Sequence, residues 1–280
     1  MTSRTSTVPA IRAAKRRSGA APLTMITAYD EPGARYVDAA GVDMILVGDS
    51  VANTVLGYDD TLQMTVEVMA HHTAAVARAH PEALIVGDLP WMSYHTTPAE
   101  AVRSAASLIR AGAGCVKLEG GINRVEVIEA IINAEIPVMG HLGLTPQSVM
   151  AMGGYKVQGR STDAADALVA GARAIEDAGC FAVVLEGVPD VLATAITAEL
   201  TIPTIGIGAG PGTDGQVLVF HDLLGMSKGT PAKFVRRYVD LGTQITDAVS
   251  AYVADVRAGA FPAAAETYGA SSELTEHLEG

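Results

Sequence analysis

Eight short apolar runs, at residues 23–28, 44–48, 83–87, 115–119, 137–141, 181–186, 203–207 and 216–220, alternate along the chain with stretches of helical periodicity. The runs are bounded by Gly, Pro or polar residues, which marks them as short buried strands. Helices are expected at 31–40, 61–79, 98–111, 123–134, 163–178, 189–199 and 231–257. Ala40-Gly41, Ala111-Gly112 and Ala178-Gly179 place glycine just past three helix ends, where a left-handed cap is needed. Pro98 and Pro189 stand where a first helical turn would open. Such alternation over about 250 residues is what a closed (β/α)8 TIM barrel requires. A doubly wound open sheet is the competing α/β architecture, but it places a glycine-rich turn straight after its first strand. Here that turn reads Ala28-Tyr29-Asp30-Glu31-Pro32, so the barrel is the expectation.

The barrel is assigned to residues 21–262, without a second domain. Residues 1–20 form a basic segment with Arg4, Arg12, Lys15, Arg16 and Arg17 and no acid. An organellar address is one reading of that bias; the other, preferred here, is a capping helix from about Val8 to Arg17. Residues 263–280 read as a flexible acidic C-terminal tail.

Composition narrows the function classes. The chain is 49% hydrophobic and 18% charged, enough apolar matter for a large core. Its net charge of −12 opposes general binding to nucleic acid or to anionic membranes, and no apolar run approaches membrane-spanning length. Cys115 and Cys180 lie in apolar runs without metal-ligand spacing, so they read as buried free thiols of a reducing, cytoplasmic compartment.

In a barrel of this kind, catalytic groups come from the C-terminal ends of the strands. Asp49 and Asp88 close the second and third runs, Lys117 and Glu119 the fourth, His141 the fifth and Glu186 the sixth. Side chains alternate along a strand, so Lys117 and Glu119 share a face. For that strand alone a structural ion pair is the plainer reading. Neighbouring strands alter the balance, because three carboxylates converging in a partly apolar cup need a cation or protons between them. An all-oxygen donor set without paired His or Cys points to a hard ion, Mg2+ before Mn2+. The alternative for Asp49 and Asp88 is helix capping. An apolar surround at Glu186 would raise its pKa towards that of a general base; a helix-start carboxylate before Pro189 is the alternative. His141 is balanced between a role in the site and a satisfied core residue. His71, His72, His80, His95 and His221 carry no ligand spacing, and the run Gly206–Gly212 lacks the lysine of a phosphate-binding loop. The long connection from His141 to Thr162 exceeds an ordinary turn, and its part from Leu144 to Arg160 is a candidate lid.

Several stretches together resemble the ketopantoate hydroxymethyltransferase family. They are Val47-Gly48-Asp49-Ser50, Asp88-Leu89-Pro90, Val116 to Gly121, Gly140 to Ser148, Gly153 to Arg160, Ile205 to Gly210, and Val219-Phe220-His221-Asp222. The resemblance runs in order over roughly residues 20 to 262, with Trp91 where the family pattern carries Phe. It implies one Mg2+ per subunit held by Asp49, Asp88 and Glu119. It implies a 2-oxo acid contacted by Asp49, Ser50, Asp88 and Lys117, with Glu186 as the catalytic proton acceptor; His141 is assigned beside them as a substrate-binding residue that orients substrate or product. It also implies 5,10-methylenetetrahydrofolate as one-carbon donor and a ring-shaped homo-oligomer, a decamer. The rival enzyme class is a Mg2+-dependent lyase or mutase of the phosphoenolpyruvate/2-oxo acid barrel type. That class would want a reactive cysteine or more arginines at the mouth, whereas Cys115 starts its strand and Arg160 is the one obvious loop arginine. A non-catalytic metal-binding barrel is the third possibility.

Overall fold

In the computed structural model, which describes residues 6–15, 21–227 and 229–280, the alternation closes on itself. The elements run α1 (Val8–Ala13), β1 (Leu23–Thr27), α2 (Glu31–Ala39), β2 (Met44–Val47), α3 (Val66–Ala77), β3 (Leu84–Asp88) and α4 (Pro98–Arg110). They continue as β4 (Cys115–Glu119), α5 (Val125–Asn133), β5 (Val138–Gly143), α6 (Val149–Met152), α7 (Thr162–Asp177), β6 (Ala182–Glu186) and α8 (Asp190–Glu199). The chain ends with β7 (Thr204–Ile207), β8 (Gly215–Leu218), α9 (Phe220–Leu223), α10 (Leu241–Ala258) and α11 (Ser272–Glu279). All eight strands pair in parallel and in sequence order, and β8 returns to β1 to close the barrel.

Local chemistry sets the boundaries. Thr65, Thr97 and Ser161 cap α3, α4 and α7, each side chain accepting a hydrogen bond from the third backbone N–H beyond it. Pro98 opens α4, whereas Pro189 stands one position ahead of α8. Gly41, Gly112 and Gly179 take positive φ after α2, α4 and α7, as a left-handed stop requires.

Three expected helices are clearly shorter in the structure. The 61–79 helix starts only at Val66, because Thr65 caps there. The 231–257 helix starts at Leu241, where the Asp240 side chain accepts from Thr243 N. Residues 229–240 instead fold back on the barrel: Tyr238 N donates to Leu223 O, Leu241 N to Leu224 O, and Phe234 lies against Gly208. Periodicity favoured a helix here, but these tertiary backbone bonds and the Gly208 shelf decide otherwise. The helix expected from Val8 ends at Ala13; Arg4, Arg16 and Arg17 lie outside the described residues.

The alternating strands build two apolar layers. Residues such as Ile45, Val116, Val138 and Val183 face outward and pack with Ala105, Leu108, Ile128 and Ile175 of the surrounding helices. Leu23, Met25, Met44, Leu84, Val86, Cys115 and Met139 fill the barrel, and Ile11 of α1 plugs its N-terminal end at 3% exposure. Burying one such side chain contributes roughly 1.5–3 kcal/mol. Just beyond α1, Lys15 Nζ reaches Asp214 Oδ2 at 2.8 Å and Ile202 O at 2.9 Å.

Candidate active site

The same inward positions that are apolar at the floor become charged at the mouth. Along β3 they read Leu84, Val86, Asp88; along β4 Cys115, Lys117, Glu119; along β5 Met139, His141; along β6 Ala182, Val184, Glu186. The register sets Asp88 beside Lys117, and Glu119 beside His141. These groups, with Asp49 and Ser50, line one cavity of about 590 Å3. All the residues proposed from sequence for the site therefore share one cup.

The pairing inside the cup differs from a simple Lys117–Glu119 bridge. Lys117 Nζ lies 2.8 Å from Asp88 Oδ1, across strands. His141 Nδ1 lies 3.4 Å from Glu119 Oε1, and its Nε2 lies 3.2 Å from Glu186 Oε2. Ser50 Oγ shares a hydrogen bond with Tyr29 Oη at 2.8 Å. Glu186 retains 16% side-chain exposure, whereas the side chains of Asp88, Lys117, Glu119 and His141 stay at or below 4%. The apolar surround expected for Glu186 is thus broken by an imidazole.

Electrostatics follow from this packing. Burial, then the charges of Asp88 and Glu119, hold Asp49 well above the usual carboxylate range. Burial also raises Asp88, although Lys117 pulls against it. Burial and Lys117 push the His141 pKa down, but its contacts with Glu119 and Glu186 outweigh them and lift it to about 9. With a proton on each ring nitrogen, His141 donates towards Glu119, so Lys117 Nζ directs its proton to Asp88 rather than to Nδ1 at 3.3 Å. Burial opposes the Lys117 charge, yet the surrounding carboxylates keep it firmly protonated.

Two neutral residues without an assigned role in the sequence reading support the cup from behind. Gln147 is 4% exposed; its Nε2 donates to Asp49 Oδ2 and to Leu89 O, both at 2.9 Å, and its backbone N donates to Glu119 Oε2 at 3.0 Å. Tyr94, fully buried, donates its hydroxyl proton to Gln147 Oε1 at 2.6 Å and accepts from Glu119 N at 3.2 Å. Gln147 lies inside the Gly140–Ser148 motif, but a glutamine in a loop carries no signal of burial. Tyr94 sits in a connection between elements and gives still less.

Part of the long connection is anchored rather than free. Leu144, Thr145, Gln147 and Val149 are buried, while Met150 and Tyr155 are exposed at 77% and 57%. Gly143 makes the turn possible: its φ is +94°, and a Cβ there would stand 2.2 Å from Glu186 O. The thiols take no part. Cys115 is buried in the floor and Cys180 behind the barrel, its pKa pushed up to about 12 by burial.

The donor set suits a hard divalent cation. Asp88 Oδ1 meets only the Lys117 ammonium, and Glu119 Oε1 has only the long 3.4 Å contact with His141 Nδ1, so two buried carboxylate oxygens face the cup. Among the described residues, no three His, Cys, Asp or Glu side chains form a closed cage; Gln147 stands between Asp49 and Glu119. That matches Mg2+, which ordinarily takes one or two carboxylates and keeps several waters.

Comparison with known proteins agrees with the sequence resemblance. The family described as ketopantoate hydroxymethyltransferase matches residues 5–264. A 3-methyl-2-oxobutanoate hydroxymethyltransferase of Geotalea uraniireducens (strain Rf4) is 55% identical over 249 residues, covering 89% of this chain and 93% of that protein. The protein of the same name from Methylobacterium sp. (strain 4-46) is 54% identical over 273 residues, covering 98% and 94%. Among solved structures, 2,3-dimethylmalate lyase, a PEP mutase/isocitrate lyase superfamily member, superposes with TM-score 0.60 at 18% identity, covering 97% of this chain and 92% of that one. Phosphonopyruvate hydrolase in complex with oxalate and Mg2+ gives 0.59 at 16% identity, covering 95% and 93%. At such identities these two show the fold alone. With a family match over nearly its whole length and relatives above half identity, this chain belongs to the ketopantoate hydroxymethyltransferase family.

Proposed function

We infer that this chain transfers a hydroxymethyl unit from 5,10-methylenetetrahydrofolate and water to 3-methyl-2-oxobutanoate, giving ketopantoate and tetrahydrofolate. The observation that carries the reading is the ordering of the cup. Buried carboxylates and a lysine cluster on β2 to β4, while the more accessible Glu186 faces them from β6 across His141. An anionic oxo acid entering a protein of net charge −12 needs local positive charge. Lys117 and a protonated His141 supply it within the cup.

Asp49, Asp88 and Glu119 would hold Mg2+, directly or through water. When bound, the ion supplies Lewis-acid stabilisation for charge developing on the keto oxygen. Glu186 accepts the proton from the branched carbon, a positioned base being worth about 10²–10⁴-fold. Lys117 balances the resulting negative charge, and Asp49, Ser50 and Asp88 orient the acid. His141, held between Glu119 and Glu186, fixes the carboxylate that receives the proton. The carbon nucleophile then attacks the folate methylene as one C–N bond breaks, the freed nitrogen taking the proton held by Glu186. Water displaces tetrahydrofolate by breaking the second C–N bond, its OH completing the hydroxymethyl group and its proton going to the nitrogen of that second bond.

Subunit assembly belongs to the same reading. Ile245, Val249, Tyr252 and Val256 recur at helical spacing on α10 and are 44–56% exposed. Such an apolar stripe supports contact with another copy, consistent with the decamer that the resemblance implies. Among the described residues no helix is long and apolar enough to cross a membrane; we assign the enzyme to the cytoplasm. The decisive assay follows ketopantoate formation from 3-methyl-2-oxobutanoate and methylenetetrahydrofolate, with Mg2+ and with chelator. Metal-dependent product supports the reading; well-folded protein that forms none overturns it.

A further inference from the structure

We propose that Tyr94 and Gln147 are a positioning pair that aims Asp49 and Glu119 at the cation and couples both to the connection after β5. The inference rests on the reading of the cup as a cation site. It begins with one proton. Glu119 N–H donates to the Tyr94 oxygen at 3.2 Å, so the single Tyr94 proton is left for Gln147 Oε1, 2.6 Å away. That choice fixes which end of the Gln147 amide is which. Its two Nε2 protons then go to Asp49 Oδ2 and to Leu89 O. One Asp49 oxygen is held from behind by the protein, and the carboxylate cannot turn without breaking that bond.

Glu119 is held in the same way, from the same residue. Gln147 N donates to Glu119 Oε2, which leaves Oε1 as the oxygen without a well-formed hydrogen bond. One glutamine therefore engages two carboxylates from different strands, and a tyrosine engages the glutamine. Tyr94 has no freedom of its own. Its ring lies against the His95 ring with centroids 4.2 Å apart, and the Arg124 guanidinium stands 5.5 Å over it. Gln147 belongs to the short helical turn Pro146–Ser148 that starts the long connection. Displacing that turn would withdraw both donors together, leaving two buried anions less compensated. Cation affinity and the seating of the connection are thus one equilibrium.

The test uses the full chain and Mn2+ as the probe, followed by electron paramagnetic resonance. Gln147→Met keeps volume but removes the side-chain donors; Tyr94→Phe removes one oxygen. Each is expected to weaken Mn2+ binding about 10–100-fold, as loss of a group orienting a ligand does. The double variant should be no weaker than Gln147→Met, because the two residues act in series. A packing role alone predicts native Mn2+ affinity in Gln147→Met, and that result overturns the proposal. Limited proteolysis in the exposed 150–157 stretch reads the coupling: Mn2+ should protect the unsubstituted protein and fail to protect Gln147→Met at the same concentration. Equal protection in both overturns it. Should Gln147→Met not fold, Tyr94→Phe carries both measurements. If the unsubstituted chain binds no Mn2+, the cation reading falls and takes this inference with it, an outcome distinct from failure in the variants alone.

Discussion

The two ends of the barrel bury ions under opposite rules. At the floor, Asp214 Oδ2 accepts from Lys15 Nζ, from Thr204 N and from Thr204 Oγ1, at 2.8, 2.8 and 3.1 Å. Leu23 N donates to Asp214 O, and Lys15 and Asp214 are both buried, so the pair is satisfied and closed to solvent. At the mouth, four carboxylates share one lysine and one imidazolium, and burial, then its neighbours' charge, raises Asp49. Buried oxygens there lack complete hydrogen bonds. The floor uses its ion pair to fasten α1 and the β7–β8 connection. The mouth keeps its charges in tension around an open cavity. Stability and function are thus separated along a single set of strands.

The largest test of that contrast is at the mouth. Glu186→Gln should lower turnover about 10²–10⁴-fold while leaving the urea midpoint unchanged, since Glu186 is the partly exposed member of the cup. Unaltered turnover in a steady-state assay would remove Glu186 from the reaction. The floor should answer in the other currency. Lys15→Met leaves Asp214 buried without its ammonium partner and should cost about 3–5 kcal/mol in urea unfolding. Folded Lys15→Met enzyme at low temperature should retain native kcat, and a kcat defect without lost stability would erase the distinction between the ends.

A smaller effect, of opposite sign, comes from relieving tension. Asp49→Asn keeps an acceptor for Gln147 Nε2 but removes one of the crowded charges. Metal-free protein should become more stable by about 0.5–2 kcal/mol, as when a strained active site is relaxed, and calorimetry of the same variant should show lost Mg2+ binding. A destabilised Asp49→Asn would mean that the cup is not strained.

A pH dependence offers a further test. His141 binds its proton more tightly folded, at about 9, than at its ordinary 6.5. Its contribution is therefore fully present below 6.5 and is lost as pH rises through about 9. Metal-free protein should lose stability across that window, and His141→Gln should flatten the loss. An unchanged slope in the variant would assign it to other groups.

Much of the site was visible in the chain before folding. Ionisable residues at the ends of consecutive apolar runs mark the mouth, and period-two alternation puts Lys117 and Glu119 on one face. Their partners were not visible. Lys117 pairs with Asp88 because parallel register sets these residues side by side on β3 and β4, a relation between strands 29 residues apart in sequence (117 − 88). Tyr94 and Gln147 escaped because a loop residue's burial depends on what the barrel closes around it. The start of the last long helix escaped for the same reason: residues 231–240 carry helical periodicity, yet Phe234 finds Gly208 and the backbone finds α9.

The sequence by itself determined the eightfold alternation, the barrel and which end is charged, since strand period, glycine stops and caps are local. Only the tertiary structure decided which charge meets which and which neutral residue orients them. Those choices depend on barrel closure and register, which join residues that no local pattern connects.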